Sequence, residues 1–455
     1  MKFCADKHIF SLIQYPYICI MLTEFKKHII KDFPFLLNSK LLIAVSGGVD
    51  SIVLTHLSHK SGLHIALAHC NFNLREKESD ADEKFVVDFA NELNVEVFIE
   101  SFDTNEYVKK NKVSIQIAAR ELRYEWFREL RTALNFDYIL TAHQADDNLE
   151  TFLINLSRGT GLDGLTGIPS INNNIARPLL PFSREDVLQY AKENELEWRE
   201  DSSNHETKYL RNKFRHEVVP ILKEINPAFL SNFQNTVNYL KGTSEILENH
   251  IAEIRLKLFI IKDDRIKIPV NELLNLKPKK AYLYALFKEY GFTEWNDLES
   301  LLETGSGKQI FSNDYRMIKD RDYIYIAPLL PFTEDMEHEI PVEEQHILNP
   351  VALSFSKVNQ VKAENRKTIY VDKKKLKFPL IVRKRKEGDY FYPFGMEGKK
   401  KLSKFYKDEK YSILDKENQW LLCSANKIVW VIGKRADNRF KVTESTTEII
   451  KIKLH

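Results

Sequence analysis

Residues 46–51 read Ser-Gly-Gly-Val-Asp-Ser, between the apolar run Leu41-Leu42-Ile43-Ala44-Val45 and a helix-like stretch at 52–57. A strand that turns on paired glycines into a helix leaves the first helical N–H groups without partners. Glycine also lets the backbone approach whatever fills that space closely. The segment is therefore a cradle for phosphate, and Ser46, Gly47, Gly48, Val49, Asp50 and Ser51 are expected to hold a nucleotide. It is not a Walker loop, because the Lys that reaches the outer phosphates is missing and Asp50 stands close to the expected anion. An acid beside phosphate calls for a bridging metal. The plain alternative is a tight turn capped by Ser or Asp.

A second motif decides between these. His143-Gln144-Ala145-Asp146-Asp147-Asn148-Leu149-Glu150-Thr151 follows the strand-like Tyr138-Ile139-Leu140-Thr141-Ala142. If the segment is helical from about Ala145, Asp146 and Glu150 lie one turn apart, as do Asp147 and Thr151, and three carboxylates crowd the helix N-terminus. Hard cations such as Mg²⁺ take oxygen ligands and are held by one or two carboxylates plus substrate phosphates. Asp50, Asp146 and Asp147 are the candidate metal ligands. A solvated acidic first turn favoured by the helix dipole is the simpler reading of the second motif alone.

Strand-like runs at 41–45, 64–70, 95–100 and 138–142 alternate with helical periodicity at 51–60, 78–93, 114–134 and 145–157. Alternation of this kind predicts an α/β domain with a doubly wound parallel sheet. Ligands of such sheets sit beyond the carboxyl ends of the strands, where both motifs fall.

With these residues in place the chain resembles the PP-loop ATP pyrophosphatases, which split ATP between the α and β phosphates. Within them it resembles the bacterial tRNA(Ile)-lysidine synthetases, from about Leu41 to the C-terminus. The resemblance is carried by the SGGxDS loop, by Leu74-Arg75, by Ala118-Ala119-Arg120-Glu121-Leu122-Arg123-Tyr124, and by the His143–Thr151 signature, with Asn148 where the family usually has Gln. Further along it is carried by the glycine-rich 158–167, by Arg177-Pro178-Leu179-Leu180, by Asp201-Ser202-Ser203-Asn204, and by Tyr209, Arg211, Asn212 and Arg215. The resemblance implies that ATP adenylates the C2 carbonyl oxygen of the wobble cytidine in an isoleucine tRNA with a CAU anticodon. The ε-amine of free L-lysine would then displace AMP, giving lysidine. It implies ATP and Mg²⁺ as cofactors. Asp50, Asp147 and His143 become candidate metal or base groups, and Arg120, Arg123 and Arg215 candidates for the α phosphate or the target base. Four glycines in the nine residues 159–167 suggest a flexible segment able to close over the site.

Overall charge is only +2, but residues 362–455 hold 25 Lys or Arg against 12 Asp or Glu, leaving 42 against 53 elsewhere. A tail of +13 on a body of −11 suits a polyanionic partner. Arg383, Lys384, Arg385, Lys386, Lys399, Lys400 and Lys401 are the candidate tRNA contacts, interleaved with Tyr390, Phe391, Tyr392, Phe394, Phe405 and Tyr406. Those aromatics serve equally as the core of a small strand-rich domain. The expected organisation is an N-terminal extension at 1–20 without a family counterpart, a PP-loop catalytic domain at 21–225, a mostly helical tRNA-facing domain at 226–345, and a small basic α+β domain at 346–455. Met21 opens a helix-like stretch and is a candidate start of translation.

Gly305-Ser306-Gly307-Lys308 imitates a phosphate loop. However, Leu302 replaces the first required Gly and Gln309 the Ser or Thr, so it reads as a helix-ending turn. Cys4, Cys19, Cys70 and Cys423 form no CxxC pair, which argues against a zinc site, a disulfide framework, or the sulfur chemistry of tRNA thiolases. The apolar run 9–22 is too short to span a bilayer, so the expected setting is cytoplasmic, with a homodimer left open. Two rival readings stand beside the main one: a PP-loop synthetase acting on a small metabolite, such as an NAD or GMP synthetase, and a noncatalytic RNA-binding protein built on the same fold.

Overall fold

The structure, a computed structural model, describes residues 15–74, 77–200, 210–262, 265–329, 337–362 and 365–455. Its contacts divide the chain into two units, residues 1–247 and 248–455.

In the first unit, strand β1 (Lys40–Ala44) is apolar on both faces and buries Leu41, Leu42 and Ile43 completely, as a strand covered by helices on both sides must. It pairs in parallel with β2 (His64–Asn71), which pairs in parallel with β3 (Val97–Ser101). On its other side β1 pairs with β4 (Tyr138–Leu140), again in parallel. A hairpin of β5 (Ile171–Asn172) and β6 (Ile175–Ala176) completes the order β3-β2-β1-β4-β6-β5, with β6 parallel to β4 and β5 antiparallel to β6. The direction of winding reverses between β1 and β4. A crevice opens there beyond the strand ends, and both sequence motifs enter it.

Helix α1 (Tyr15–Asp32), α2 (Val49–Lys60), α3 (Lys77–Glu92) and α5 (Ile115–Ala133) fall where the periodicity placed helices or extend it, whereas α4 (Thr104–Asn111) is not anticipated by it. Ile43 and Leu41 pack with residues of α1, α2 and α3, while Leu42 packs with Phe127 of α5, so the two faces of β1 feed two separate clusters. α1 starts at Tyr15 rather than at Met21, and residues 1–14 of the expected N-terminal extension lie outside the described residues. Met21, Phe25 and Ile29, spaced four apart, put one face of α1 into the core.

After β4 come α6 (Ala145–Arg158), α7 (Leu162–Leu165), α8 (Arg184–Glu193), α9 (Leu210–Lys213), a π-helical turn (Phe214–Val218), α10 (Val219–Ile225) and α11 (Phe229–Leu258).

In the second unit the helical expectation for 226–345 meets a mixed region. Helices Val270–Asn275, Lys279–Phe287 and Trp295–Glu303 pack on a five-stranded antiparallel sheet running from Ile260 to Pro328. Its strands are three to six residues long, and the hairpin Tyr315–Asp320 to Tyr323–Pro328 turns at Arg321, a non-glycine residue at φ +53°. Neither length nor turn composition announced them. The decoy at 305–308 follows the helix Trp295–Glu303 and leads into the strand Gln309–Phe311. Beyond residue 337 a five-stranded and a four-stranded sheet enclose a core around Trp430, Val382 and Ile452.

Phe25 is fully buried and its ring lies 6.3 Å from that of Phe182. Phe25→Ala is expected to destabilise the protein by about 3–5 kcal/mol through lost burial and the cavity left behind, measured by urea unfolding. A loss under about 1 kcal/mol would place α1 outside the cooperative core.

Candidate active site

Gly47 sits at φ +87°, a backbone conformation that only glycine adopts without strain, and this turns the chain from β1 into α2. Gly48 caps α2 without any side-chain hydrogen bond, and among the described residues the amides of Val49 and Asp50 have no acceptor. The loop is braced from within: the Ser46 N–H donates to Ser51 Oγ (3.2 Å), and the Ser51 hydroxyl donates to the Gly48 carbonyl (2.8 Å). From outside, the Arg199 N–H donates to the Gly47 carbonyl (2.9 Å) and Arg199 Nε to Asp82 (2.9 Å). His69, kept neutral because burial lowers its pKa, holds the Val45 carbonyl through Nδ1 at 2.9 Å. A braced pair of free amides at a helix N-terminus is an anion site.

Asp50 projects from the first turn of α2, where its Oδ1 accepts from Gln144 Nε2 at 3.1 Å, joining the two motifs across 94 residues. Among the described residues it has no cationic partner within ion-pair distance. Burial, and next the charge of Asp147, push its carboxyl up from 3.8 to about 6.

The other carboxylates of this region are each paired. Asp147 caps α6 by accepting the Gln144 N–H (3.1 Å), and its second oxygen takes Arg211 Nη2 (3.1 Å) and Arg215 Nη2 (2.9 Å). Glu150, one turn on and almost wholly buried, accepts from Arg211 Nε (2.8 Å) and Arg215 Nε (2.6 Å). Asp146 accepts the Arg184 N–H (2.9 Å) and binds Lys223, which also reaches Glu185 at 2.9 Å. Of the three carboxylates expected to hold Mg²⁺, Asp50 alone lacks a cation among the described residues. Among the described residues no group of three or more His, Cys, Asp or Glu is disposed to hold a metal ion. Mg²⁺ needs only one or two carboxylates when phosphates supply the remaining ligands, so Asp50 fits it and Asp146 does not.

His143 donates or accepts at Nδ1 with Thr141 Oγ1 (3.1 Å), and burial lowers its pKa to about 4. It is a neutral imidazole at physiological pH, with Arg177, Arg211 and Arg120 opposing its protonation. Arg120 lies over the Tyr124 ring (5.1 Å) and Arg123 over Phe72 (5.2 Å). Of the three expected arginines, Arg215 is in the carboxylate lattice, Arg120 bears on His143, and Arg123 bears on His69 and Cys70.

The glycine-rich segment is tied rather than loose. Asn148 Oδ1 accepts the Ile168 N–H (2.6 Å), and Asn155 Nδ2 donates to the Gly164 carbonyl (2.9 Å). Gly167 is at φ +73°, and a Cβ there would stand 2.2 Å from Asn148 Oδ1, so that position admits only glycine. Arg75, residues 201–204 and Tyr209, also expected to contribute, lie outside the described residues. The sequence places Gln144 and Glu150 in the second motif without showing their partners, and it does not reveal Lys223 or the pairing of Arg211. The available signal was the match between acids at 147 and 150 and arginines at 211 and 215, each pair one helical turn apart.

In the second unit the basic candidates divide. Arg383 is buried and clamps Asp389 through both Nη atoms at 2.8 Å, holding the loop between them. Lys384 lies 3.9 Å over the Trp420 ring, Lys386 meets Glu337 (2.6 Å), and Lys400 meets Asp408 (2.8 Å). Lys399 lies 3.7 Å over Tyr390, and Arg385, Lys399 and Lys401 are exposed. Phe391, Phe405 and Tyr406 are core, whereas Tyr390 and Phe394 face solvent.

Comparison with known proteins agrees with this geometry. The family described as PP-loop domain matches residues 21–222, the TilS substrate binding domain matches 261–329, and the TilS substrate C-terminal domain matches 380–453. A protein of Parabacteroides distasonis named tRNA(Ile)-lysidine synthase is 41% identical over 90% of this chain and 94% of its own. Proteins of the same name from Bacteroides thetaiotaomicron and Porphyromonas gingivalis are 37% and 34% identical, over 94% and 90% of this chain and 98% and 92% of theirs.

A raised carboxyl pKa means that the folded state binds more protons than the unfolded state between 3.8 and about 6. Stability contributed by protonated Asp50 is therefore full below pH 3.8 and lost as pH rises through 6. Asp50→Asn, neutral throughout and still able to accept from Gln144, is expected to melt above wild type at pH 7.5, with the difference vanishing near pH 4 (about the ordinary Asp value). Scanning calorimetry at the two pH values reads this directly. A variant that melts lower at pH 7.5 would mean that Asp50 is already paired inside the fold.

Proposed function

Because the chain belongs to the tRNA(Ile)-lysidine synthase family, we propose that it joins L-lysine to C2 of the wobble cytidine of the CAU-anticodon isoleucine tRNA, driven by ATP. The cytidine O2 attacks the α phosphorus, the bond to the β phosphate breaks, and pyrophosphate leaves. The lysine ε-amine then adds at C2, the C2–O2 bond breaks, AMP departs, and the amine sheds its protons. The observation that carries this reading is the meeting of the free-amide loop and the acidic start of α6 at the crevice between β1 and β4.

Each part of the reaction has a residue suited to it. The open amides of α2 receive phosphate oxygens, and ionised Asp50 would hold Mg²⁺, whose chemistry when bound is to offset charge on the pyrophosphate. Arg211 and Arg215 carry positive charge beside Asp147 without being free of it, so the site gains cations in fixed positions. His143, neutral, is a hydrogen-bonding group rather than a charge. The relatives align through the basic tail as well as the loop domain, which speaks against a small-metabolite synthetase. Against sulfur transfer at the two cysteines whose side chains are described, burial pushes the Cys70 thiol up to about 12 and the Cys423 thiol up to about 11, far from the thiolate such chemistry needs. No helix among the described residues is long and apolar enough to cross a membrane. We place the enzyme in the cytoplasm with its substrates.

Incubation with labelled lysine, ATP, Mg²⁺ and the CAU-anticodon tRNA is expected to give one lysine incorporated per AMP released. Asp50→Asn is expected to lower AMP release by about 10²–10³-fold with tRNA affinity retained. Near wild-type AMP release at saturating Mg²⁺ would remove Asp50 from the reaction, and absence of any AMP with this tRNA would remove the proposed activity.

For the tail, Arg385→Glu with Lys399→Glu and Lys401→Glu is expected to weaken tRNA binding and flatten its salt dependence by roughly one log unit of slope for each phosphate no longer neutralised. Arg383→Glu is expected to unfold the 384–389 loop instead, because it leaves Asp389 unpaired. An unchanged salt slope in the triple variant would take these three side chains out of the RNA interface.

A further inference from the structure

A cavity of about 310 Å³ lies on the α5 face of the first unit, walled by α5, by Ile139 of β4 and by the β5–β6 hairpin. Arg120, Arg128, Arg131 and Arg177 line it together with the asparagine run 172–174, and among the described residues no acidic residue does. Among the described residues none of these four arginines forms an ion pair, in contrast to Arg211 and Arg215, which are fully engaged.

Arg177 is the telling member. It is 6% exposed, its Nη1 donates to the Pro169 carbonyl (2.8 Å), and among the described residues its Nε has no acceptor. Enclosing a guanidinium without a counter-charge is unfavourable, and three further guanidiniums around the same space add repulsion. An anion relieves such an arrangement, supplying both acceptors and the missing counter-charge. Guanidinium forks match phosphate oxygens two at a time, and the neutral amides of 172–174 can donate to the rest.

We propose that this cavity binds a backbone phosphate of the substrate RNA strand, separate from the loop at 46–51 that takes the nucleotide. The proposal rests on the tRNA reading above. The ATP phosphates already have their amides at the start of α2, so a second cationic pocket serves a different phosphate. The charges of Arg120 and Arg177 also oppose protonation of His143, so the field of the cavity reaches that side chain. A phosphodiester held there would fix the strand close to the cytidine that reacts.

The test is tRNA binding over a salt titration, comparing wild type with the double variant Arg128→Gln, Arg131→Gln, both side chains lying at the wall of the cavity. The variant is expected to bind tRNA about tenfold more weakly at low salt, with a log–log salt slope shallower by roughly one to two. Its ATP affinity, measured in the same preparation, is expected to match wild type. Equal tRNA affinity and equal slope would overturn this inference alone, and a wild-type protein that binds no tRNA would overturn it together with the proposed function. Loss of ATP affinity with tRNA binding unchanged would show that the phosphate is the nucleotide's, and the RNA assignment would be wrong.

Discussion

The site depends on one lattice of four side chains: Asp147 and Glu150 on α6 facing Arg211 on α9 and Arg215 on the turn that follows it. Carboxylates this deeply buried are tolerable only when paired and hydrogen-bonded, and each here meets both arginines. The match is geometric as well as electrostatic, because acids three apart on one helix and arginines four apart on another both present a single face. Fixing these arginines also positions α10, where Lys223 closes on Asp146. The acidic first turn of α6 is thus not a solvated surface feature. Every carboxylate in it is an anchor.

Against that background the isolation of Asp50 acquires meaning. It is held by one neutral amide, from Gln144, and it bears the unfavourable effects of burial and of Asp147 nearby. A fold able to pair Asp146, Asp147 and Glu150 so thoroughly leaves the carboxylate nearest the phosphate loop without a cation among the described residues. Among the described residues, the negative charge of the site is offset except at Asp50, where a cation-bound phosphate would arrive. Such an imbalance destabilises the free protein and favours the loaded one, the usual relation between an active site and stability.

What could be read from the sequence follows the range of the interactions. The glycine loop, the acidic helix start and the strand–helix alternation are local patterns, and β1, β2, β4, α2 and α6 stand where those patterns put them. The family resemblance was carried by the same local motifs. The carboxylate–arginine lattice spans more than 60 residues of chain, as with Arg215 and Glu150, so composition alone shows only an acidic turn and a basic helix. The sheet between Ile260 and Pro328 escaped because its short strands turn at residues such as Arg321. Within the run 383–386, charge does not tell which side chain turns inward. Arg383 ends a strand whose neighbour at Leu421 is core, and that register buries it.

The tied glycine-rich segment bears on how water is kept from an adenylated intermediate. A loose flap could have closed over the site, but Asn148 and Asn155 hold the segment to α6 at two points, and the contact between Asn148 and Gly167 leaves no room for a side chain. Asn148 is one methylene shorter than the Gln usual at this place in the family, and its oxygen takes the Ile168 amide directly. Closure by hinging the whole segment would break both ties. On the proposed function, exclusion of water then falls to the substrate, with the RNA strand acting as the cover over a floor that is already set. Productive adenylation would in that case require the strand to be seated first. Cationic anchoring of the RNA thereby becomes part of protecting the reaction as well as of recognising the substrate.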